Sequence, residues 1–155
     1  MASTRHPAWT AALVLAAGAA AAAGLTGAAA VKDRQVHMKA LGAATKVIGE
    51  QFHSGAPDMA ILRLQGAKID AAAKALPTWF PAGSGPAASV KTKALALIWT
   101  DPARFATKAH DLELAAAKFD RAAQAGDAQA IGPAAHDLGA ACKGCHETFK
   151  EKDRT

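Results

Sequence analysis

Cys142-Lys143-Gly144-Cys145-His146 lies close to the C-terminus, and the rest of the chain is read outward from it. The run has the form C-x-x-C-H, the attachment sequence for a c-type haem. In that chemistry two thiols add across the haem vinyl groups, and the imidazole after the second thiol reaches the iron. The spacing suits the task. On a helix, positions three apart share a face, so both sulfurs can meet one flat macrocycle. Cys142 and Cys145 are then the covalent tethers and His146 the proximal axial ligand. Other readings of the five residues are weaker. A redox disulfide needs a βαβ context, which the sequence does not offer. Half a zinc site needs a second Cys pair, and the chain has only two Cys. A structural disulfide across two intervening residues is geometrically awkward.

The chain has 155 residues, enough for one domain. Residues 1–30 read as a secretory signal. Arg5 and His6 form a short polar start, Trp9 to Ala23 is apolar, and Ala28-Ala29-Ala30 supplies small residues for cleavage after Ala30. A retained membrane anchor is the competing reading, since the apolar span is almost long enough. Its content is mostly Ala, which is weakly apolar, so no stable anchor is expected after cleavage. The domain itself is then residues 31–155. The formal charge of +5 becomes +4 once Arg5 is removed. Two haem propionates would cancel about half of that. Such a mild excess suits acidic protein partners and argues against nucleic acid. Export and haem attachment agree, because c-type haem is attached outside the bacterial plasma membrane.

Ala, Lys and Leu are abundant and Tyr is absent, which favours helix. Four amphipathic segments follow. The first runs from Val31 to His53, with Val31, Met38, Leu41, Ile48 and Phe52 on one face and Arg34 and Thr45 beside them. Ser54-Gly55-Ala56-Pro57 ends it. The second runs from Asp58 to Leu76 and stops at Pro77. A connection rich in Pro and Gly spans Pro77 to Ser89 and carries Trp79 and Phe80. Those two rings fold back either over a haem edge or over the end of the bundle core. Val90 to Trp99 reads as a short helix. Asp101 and Pro102 open the third segment, Pro102 to Ala125. The fourth, Ala128 to Lys150, holds the haem motif in its last turns. Gly132-Pro133 is placed to kink its start, and Glu147 to Thr155 is expected to fray. Short loops make neighbours antiparallel. The fold class is therefore all-α: an up-down-up-down four-helix bundle with one covalently bound haem in its core.

With these residues in view, the chain resembles the class II c-type cytochromes, the cytochrome c′ family. Ala141 to Lys150 looks like the family's haem helix. Arg34-Gln35-Val36-His37-Met38-Lys39 looks like its first-helix signature, and Ala75 to Pro81 like its inter-helix loop. Ile98-Trp99 ahead of Phe105 also fits. The resemblance covers about residues 33–152. It implies an iron-bearing haem c, one per chain, in a protein of the periplasm. It also implies an electron carrier or gas-binding protein, not an enzyme, and a homodimer through the first two helices.

The family divides at the sixth iron ligand. In cytochromes c′ the iron is five-coordinate and an apolar first-helix side chain hangs over the open face. In low-spin relatives a first-helix Met sulfur binds it. Met38 falls at that position. It is read either as the distal axial ligand or as a flexible core residue. His37 lies about 100° round the helix and reads as a surface residue, as do His110 and His136; His53 sits at a helix end favourable to a cation. Arg34, one turn before Met38, is read as a haem-propionate contact or as a solvated residue. Electron transfer with redox partner proteins is the first functional expectation. NO or CO binding at an open distal face is the second. A weak peroxidase ranks lower, because the first-helix stripe offers no distal acid or base. A haem-free redox or scaffold protein ranks last.

Overall fold

The computed structural model describes residues 25–152. Most of the proposed signal, residues 1–24, lies outside them. Five helices follow in order: α1 (Gly27–His53), α2 (Met59–Ala75), α3 (Leu97–Thr100), α4 (Pro102–Ala125) and α5 (Ile131–Phe149). A 3-10 turn, Leu76–Trp79, extends α2. The four long helices form the antiparallel bundle.

The helix ends follow local chemistry. Asp58 accepts from the Ala60 N–H at 2.7 Å and caps α2. Asp101 accepts from the Arg104 N–H at 3.1 Å and caps α4, with Pro102 in its first turn. Gly126 ends α4 in the left-handed region at φ 69°, and the Asp127 N–H closes back on the Ala122 carbonyl. The Asp127 carboxylate then accepts from the N–H groups of Gln129 and Ala130 and starts the turn into α5. Gly132 and Pro133 fall inside the first turn of α5, where a missing N–H costs nothing.

The core is built from the apolar stripes. Leu62 and Ile69 of α2 meet Leu112, Ala116 and Phe119 of α4, with Leu138 and Phe149 of α5. Gly66 allows a close crossing of α2 on α4: a Cβ there would stand 3.2 Å from the Asp120 Cα. Packing runs α1 on α2, α2 on α4 and α4 on α5. The fourth seam of the bundle, between α1 and α5, is not packed in this way, and the site lies there.

Three expectations are corrected. Helix α1 starts at Gly27, and Ala30 and Val31 are buried in its first turns. Residues 90–96 are not helical; only Leu97–Thr100 is. Within them, Lys91–Leu95 run as a strap, because their backbone is taken up by neighbours. The Leu95 N–H donates to the Phe149 carbonyl at 2.9 Å, and the Glu151 N–H donates to the Lys93 carbonyl at 2.8 Å. The same pairing corrects the expectation of a fraying tail, since Glu147 to Phe149 is helical and Lys150 bridges to Ala94. Residues 153–155 lie outside the described part.

Candidate haem site

The open seam between α1 and α5 holds a cavity of about 700 Å³, inside the usual range for small-molecule and cofactor sites. Met38 and Arg34 line it from α1, and Cys145, His146 and Phe149 from α5. Leu76, Phe80, Ile98 and Phe105 give it an apolar back wall, and the strap Lys91–Ala94 closes one side. The cavity thus brings four of the five residues expected at the haem, Arg34, Met38, Cys145 and His146, to one space. Cys142, one turn before Cys145, is a free thiol, as Cys145 is, and neither is fully buried.

The titratable groups of the haem motif on α5 are shifted by burial. Burial pushes both Cys142 and Cys145 thiols up from their ordinary value; at Cys145 the nearby Lys108 ammonium opposes that shift. Burial, and then the Lys150 charge, lower the pKa of His146. That shift favours the neutral imidazole, the form that binds a metal.

Arg34 is the surprise of the site. It is 3% exposed, so it is not a solvated residue. Its guanidinium is gripped by the connection: Nη1 donates to the Trp79 carbonyl at 3.3 Å and to Ser84 Oγ at 3.0 Å. Nη2 donates to the Ser84 carbonyl at 3.0 Å and to Thr92 Oγ1 at 3.1 Å. The ring faces of Phe80 and Trp99 lie beside it, 4.7 and 5.7 Å from its carbon. Among the described residues no carboxylate pairs with it, and burial lowers its pKa.

The two aromatics of the connection part company. Phe80 lines the cavity and packs edge-on against Phe105. Trp79 is buried away from it and stacks on His37 at 4.7 Å. His37 itself is exposed, pairs with Asp33 at 3.3 Å, and does not line the cavity. The His53 Nδ1–H donates to the Gly49 carbonyl one turn back, and His110 and His136 are exposed. What sequence reasoning missed is the strap. Its one signal was the polar stretch Lys91-Thr92-Lys93 ahead of the apolar residues 94–99. The sequence gives no periodicity from which to place it against α1.

The donor set and the cavity fit a haem. Two free thiols three positions apart precede a neutral imidazole, and the imidazole opens on an apolar space that a thioether lines as well.

Comparison with known proteins agrees with this. The Cytochrome C' family model matches residues 29–150. A cytochrome c' from Pararhodospirillum photometricum is 38% identical over 122 residues, covering 79% of this chain and 90% of that one. Cytochrome c-554 from Cereibacter sphaeroides is 44% identical over 77 residues, 50% of this chain; the match spans only 57% of that relative's length. A nitric oxide complex of a cytochrome c prime mutant from Alcaligenes xylosoxidans superposes with a TM-score of 0.71 at 26% identity, covering 80% of this chain and 94% of that one. A family match that runs from the first turn of α1 to the end of α5, in a bundle of the same shape, makes this chain a member of the cytochrome c′ family, with one c-type haem per chain.

Proposed function

We propose that the chain is a periplasmic electron-transfer protein whose haem is tethered by Cys142 and Cys145, with His146 as proximal and Met38 as distal ligand. The observation that carries this reading is that Met38 and His146 line one cavity from two helices that are not packed together. When bound, the haem supplies a one-electron Fe(III)/Fe(II) couple, whose potential thioether ligation raises. His146 offers a neutral imidazole. Met38 is half-buried and unbranched, so its sulfur has the freedom to reach into the cavity. Arg34 offers a buried positive charge without a carboxylate of its own, which suits a propionate. Phe80, Ile98 and Phe105 keep water from the back of the site.

The periplasmic assignment rests on the signal-like pattern of residues 1–30 and on where c-type haem is attached. Among the described residues no helix is long and apolar enough to cross a membrane. Redox partner proteins are the expected partners.

The absorption spectrum of the purified holoprotein tests the reading. A low-spin ferric spectrum with a methionine-to-iron band, lost on Met38→Ala, is the expected result. A high-spin ferric spectrum with rapid CO binding by the ferrous form overturns Met38 ligation. It favours the second reading, a five-coordinate protein that binds NO or CO at the distal face. That reading draws support from the apolar lining beside Met38 and from the solved relative that carries nitric oxide.

We also propose a homodimer through α1 and α2. Each carries a second apolar stripe on its outer face: Val36, Ala40 and Ala43 on α1, and Ala60, Leu64, Ala67 and Ala71 on α2, all exposed.

A further inference from the structure

A second cavity, of about 310 Å³, lies behind the back wall of the haem cavity. Phe80, Ile98 and Phe105 line both, so one layer of side chains divides the two. Helix α4 supplies one side of it. There Pro102, Ala106, Ala109 and Glu113 follow at helical spacing and share a face. The two alanines leave space that longer side chains at those positions would fill. Trp99 of α3 supplies another side, and its ring is fixed. The Trp99 Nε1–H donates to the carbonyls of Phe80 at 3.2 Å and Pro81 at 3.1 Å. Gly85 lies against the same ring: a Cβ there would stand 3.2 Å from Trp99 Cε3. Fixed neighbours thus hold the space open, as in a preformed ligand site. An apolar cavity of about 150 Å³ already accepts benzene, so this one has room for a single ring with a substituent.

The polar side chains decide what that ring must carry. The Trp99 N–H is already taken, which leaves His110 and Glu113. His110 Nδ1 stands 3.9 Å from Glu113 Oε2, too far for a hydrogen bond. Lys74 feels the Glu113 charge but donates to Asp70 at 2.6 Å. The Glu113 carboxylate, 44% exposed, therefore keeps acceptor capacity for a donor that enters the cavity. An anion would be repelled there. A protonated amine would have to bring its charge out of water, a cost that a half-exposed carboxylate offsets poorly. A hydroxyl carries no such cost. We propose that this cavity is a binding site for a small phenol, with its ring against Trp99, Phe80 and Phe105 and its hydroxyl donated to Glu113. A hydrogen bond to an ionised acceptor is about twice as strong as a neutral one, and edge-on or offset contact between aromatic rings adds to the area buried. The site uses none of the haem ligands, so it goes beyond the electron-transfer reading and does not depend on Met38.

The test uses the holoprotein with para-cresol as probe. Two analogues control it: para-xylene, where a methyl replaces the hydroxyl, and para-toluate, where a carboxylate does. Calorimetry reads binding, and the haem absorption spectrum is recorded at each addition. For para-cresol a saturable site with a Kd on the order of 0.1–1 mM is expected, with haem bands that stay in place. Para-toluate should not bind. Glu113→Gln should weaken para-cresol about tenfold and para-xylene less than about twofold. Ala106→Phe, at an exposed position of α4 that lines the cavity, should abolish binding of both. If circular dichroism shows that variant to be poorly folded, Ala106→Leu takes its place. Equal losses of para-cresol and para-xylene in Glu113→Gln overturn the inference. Para-cresol binding that survives the filling variant, or that shifts the haem bands in step with occupancy, places the ring in the haem cavity and overturns it too. So does the lack of saturable binding up to about 10 mM.

Discussion

Arg34 holds Ser84 at two points, Nη1 on its hydroxyl at 3.0 Å and Nη2 on its carbonyl at 3.0 Å. Ser84 is wholly buried and its hydroxyl in turn donates to the Pro81 carbonyl at 2.8 Å. With the Thr92 contact, one side chain of α1 fastens both ends of the long connection. Gln35 adds a bond to the Lys91 carbonyl at 2.9 Å. The far side of the strap pairs with the end of α5 through Phe149 and Glu151. The strap therefore ties the helix that carries Met38 to the helix that carries His146, along a seam where the two are not otherwise packed.

Replacing Arg34 with Ala should be costly for stability. It leaves two buried carbonyls and two hydroxyls without their donor, and each such group costs about 1–3 kcal/mol. A net loss of about 3 kcal/mol is expected, together with new proteolytic cleavage within residues 82–92. Arg34→Lys should rescue little, because an ammonium cannot reproduce a planar fork that serves four acceptors. Thermal unfolding and limited proteolysis of the two variants check this. A change in Tm no larger than that of an exposed control such as Arg121→Ala would show that the strap is held by something else.

Two glycines should respond to Ala with opposite signs. Gly42 is exposed on α1 with nothing within 4 Å of a new Cβ, so Gly42→Ala should gain about 0.5–1 kcal/mol of helix propensity. At Gly66 the new Cβ meets backbone, the Asp120 Cα at 3.2 Å, and the Phe119 ring at 3.4 Å. Overpacking there costs about 1–3 kcal/mol, which outweighs the propensity gain, so Gly66→Ala should lose about 1 kcal/mol net. Denaturant midpoints of the two variants check the pair.

The bundle could be read from the sequence because its signals are local. Asp58, Asp101, Pro102 and Gly126 mark helix ends within a few residues, and the structure keeps three of the four segments within about three residues of their expected bounds. The haem motif was legible for the same reason, since its spacing is contained in one turn of helix. The strap was not. Residues 90–96 contain Val, Leu and Ala and look helical in isolation, and the strap at Lys91–Leu95 is held by Arg34, Gln35, Phe149 and Glu151, which are distant in sequence. The burial of Arg34 overturns only its solvated alternative, and it was not legible because the four acceptors lie 45 to 58 positions away. No periodic pattern encodes such a contact.

The pair of Lys118 on α4 and Asp137 on α5, 2.6 Å apart, gives a dependence on pH. The hydrogen bond from Lys118, then its charge, hold the Asp137 carboxyl below its usual value of 3.8. A carboxyl whose folded pKa is depressed contributes stability above its unfolded pKa and loses it as pH falls toward the folded one. Asp137→Asn should therefore be slightly less stable than the wild type at neutral pH. The difference should close as pH drops below 3.8. Both groups are exposed, so the effect is small and should also fade with added salt. Melting curves of the two proteins across acid pH, at low and high salt, check it. A gap that persists in strong acid would mean that the amide acts through packing and not through charge.

The dimer proposal makes the most direct prediction about assembly. Leu64 is 56% exposed in the middle of the outer stripe of α2, and Val36 is 65% exposed on that of α1. Neither side chain lines the haem cavity. Leu64→Glu places a carboxylate where a second copy would bury leucine, and a charge buried without a partner is far more costly than the lost apolar contact. The variant should elute as a monomer by size exclusion with light scattering, at concentrations where the wild type is a dimer, and with an unchanged haem spectrum. Val36→Glu should act in the same way if both helices contribute. Leu114, 57% exposed on α4, serves as the control: Leu114→Glu should leave the dimer intact. Dissociation by Leu114→Glu and not by Leu64→Glu would move the interface to α4, and a wild type that is monomeric throughout would remove it.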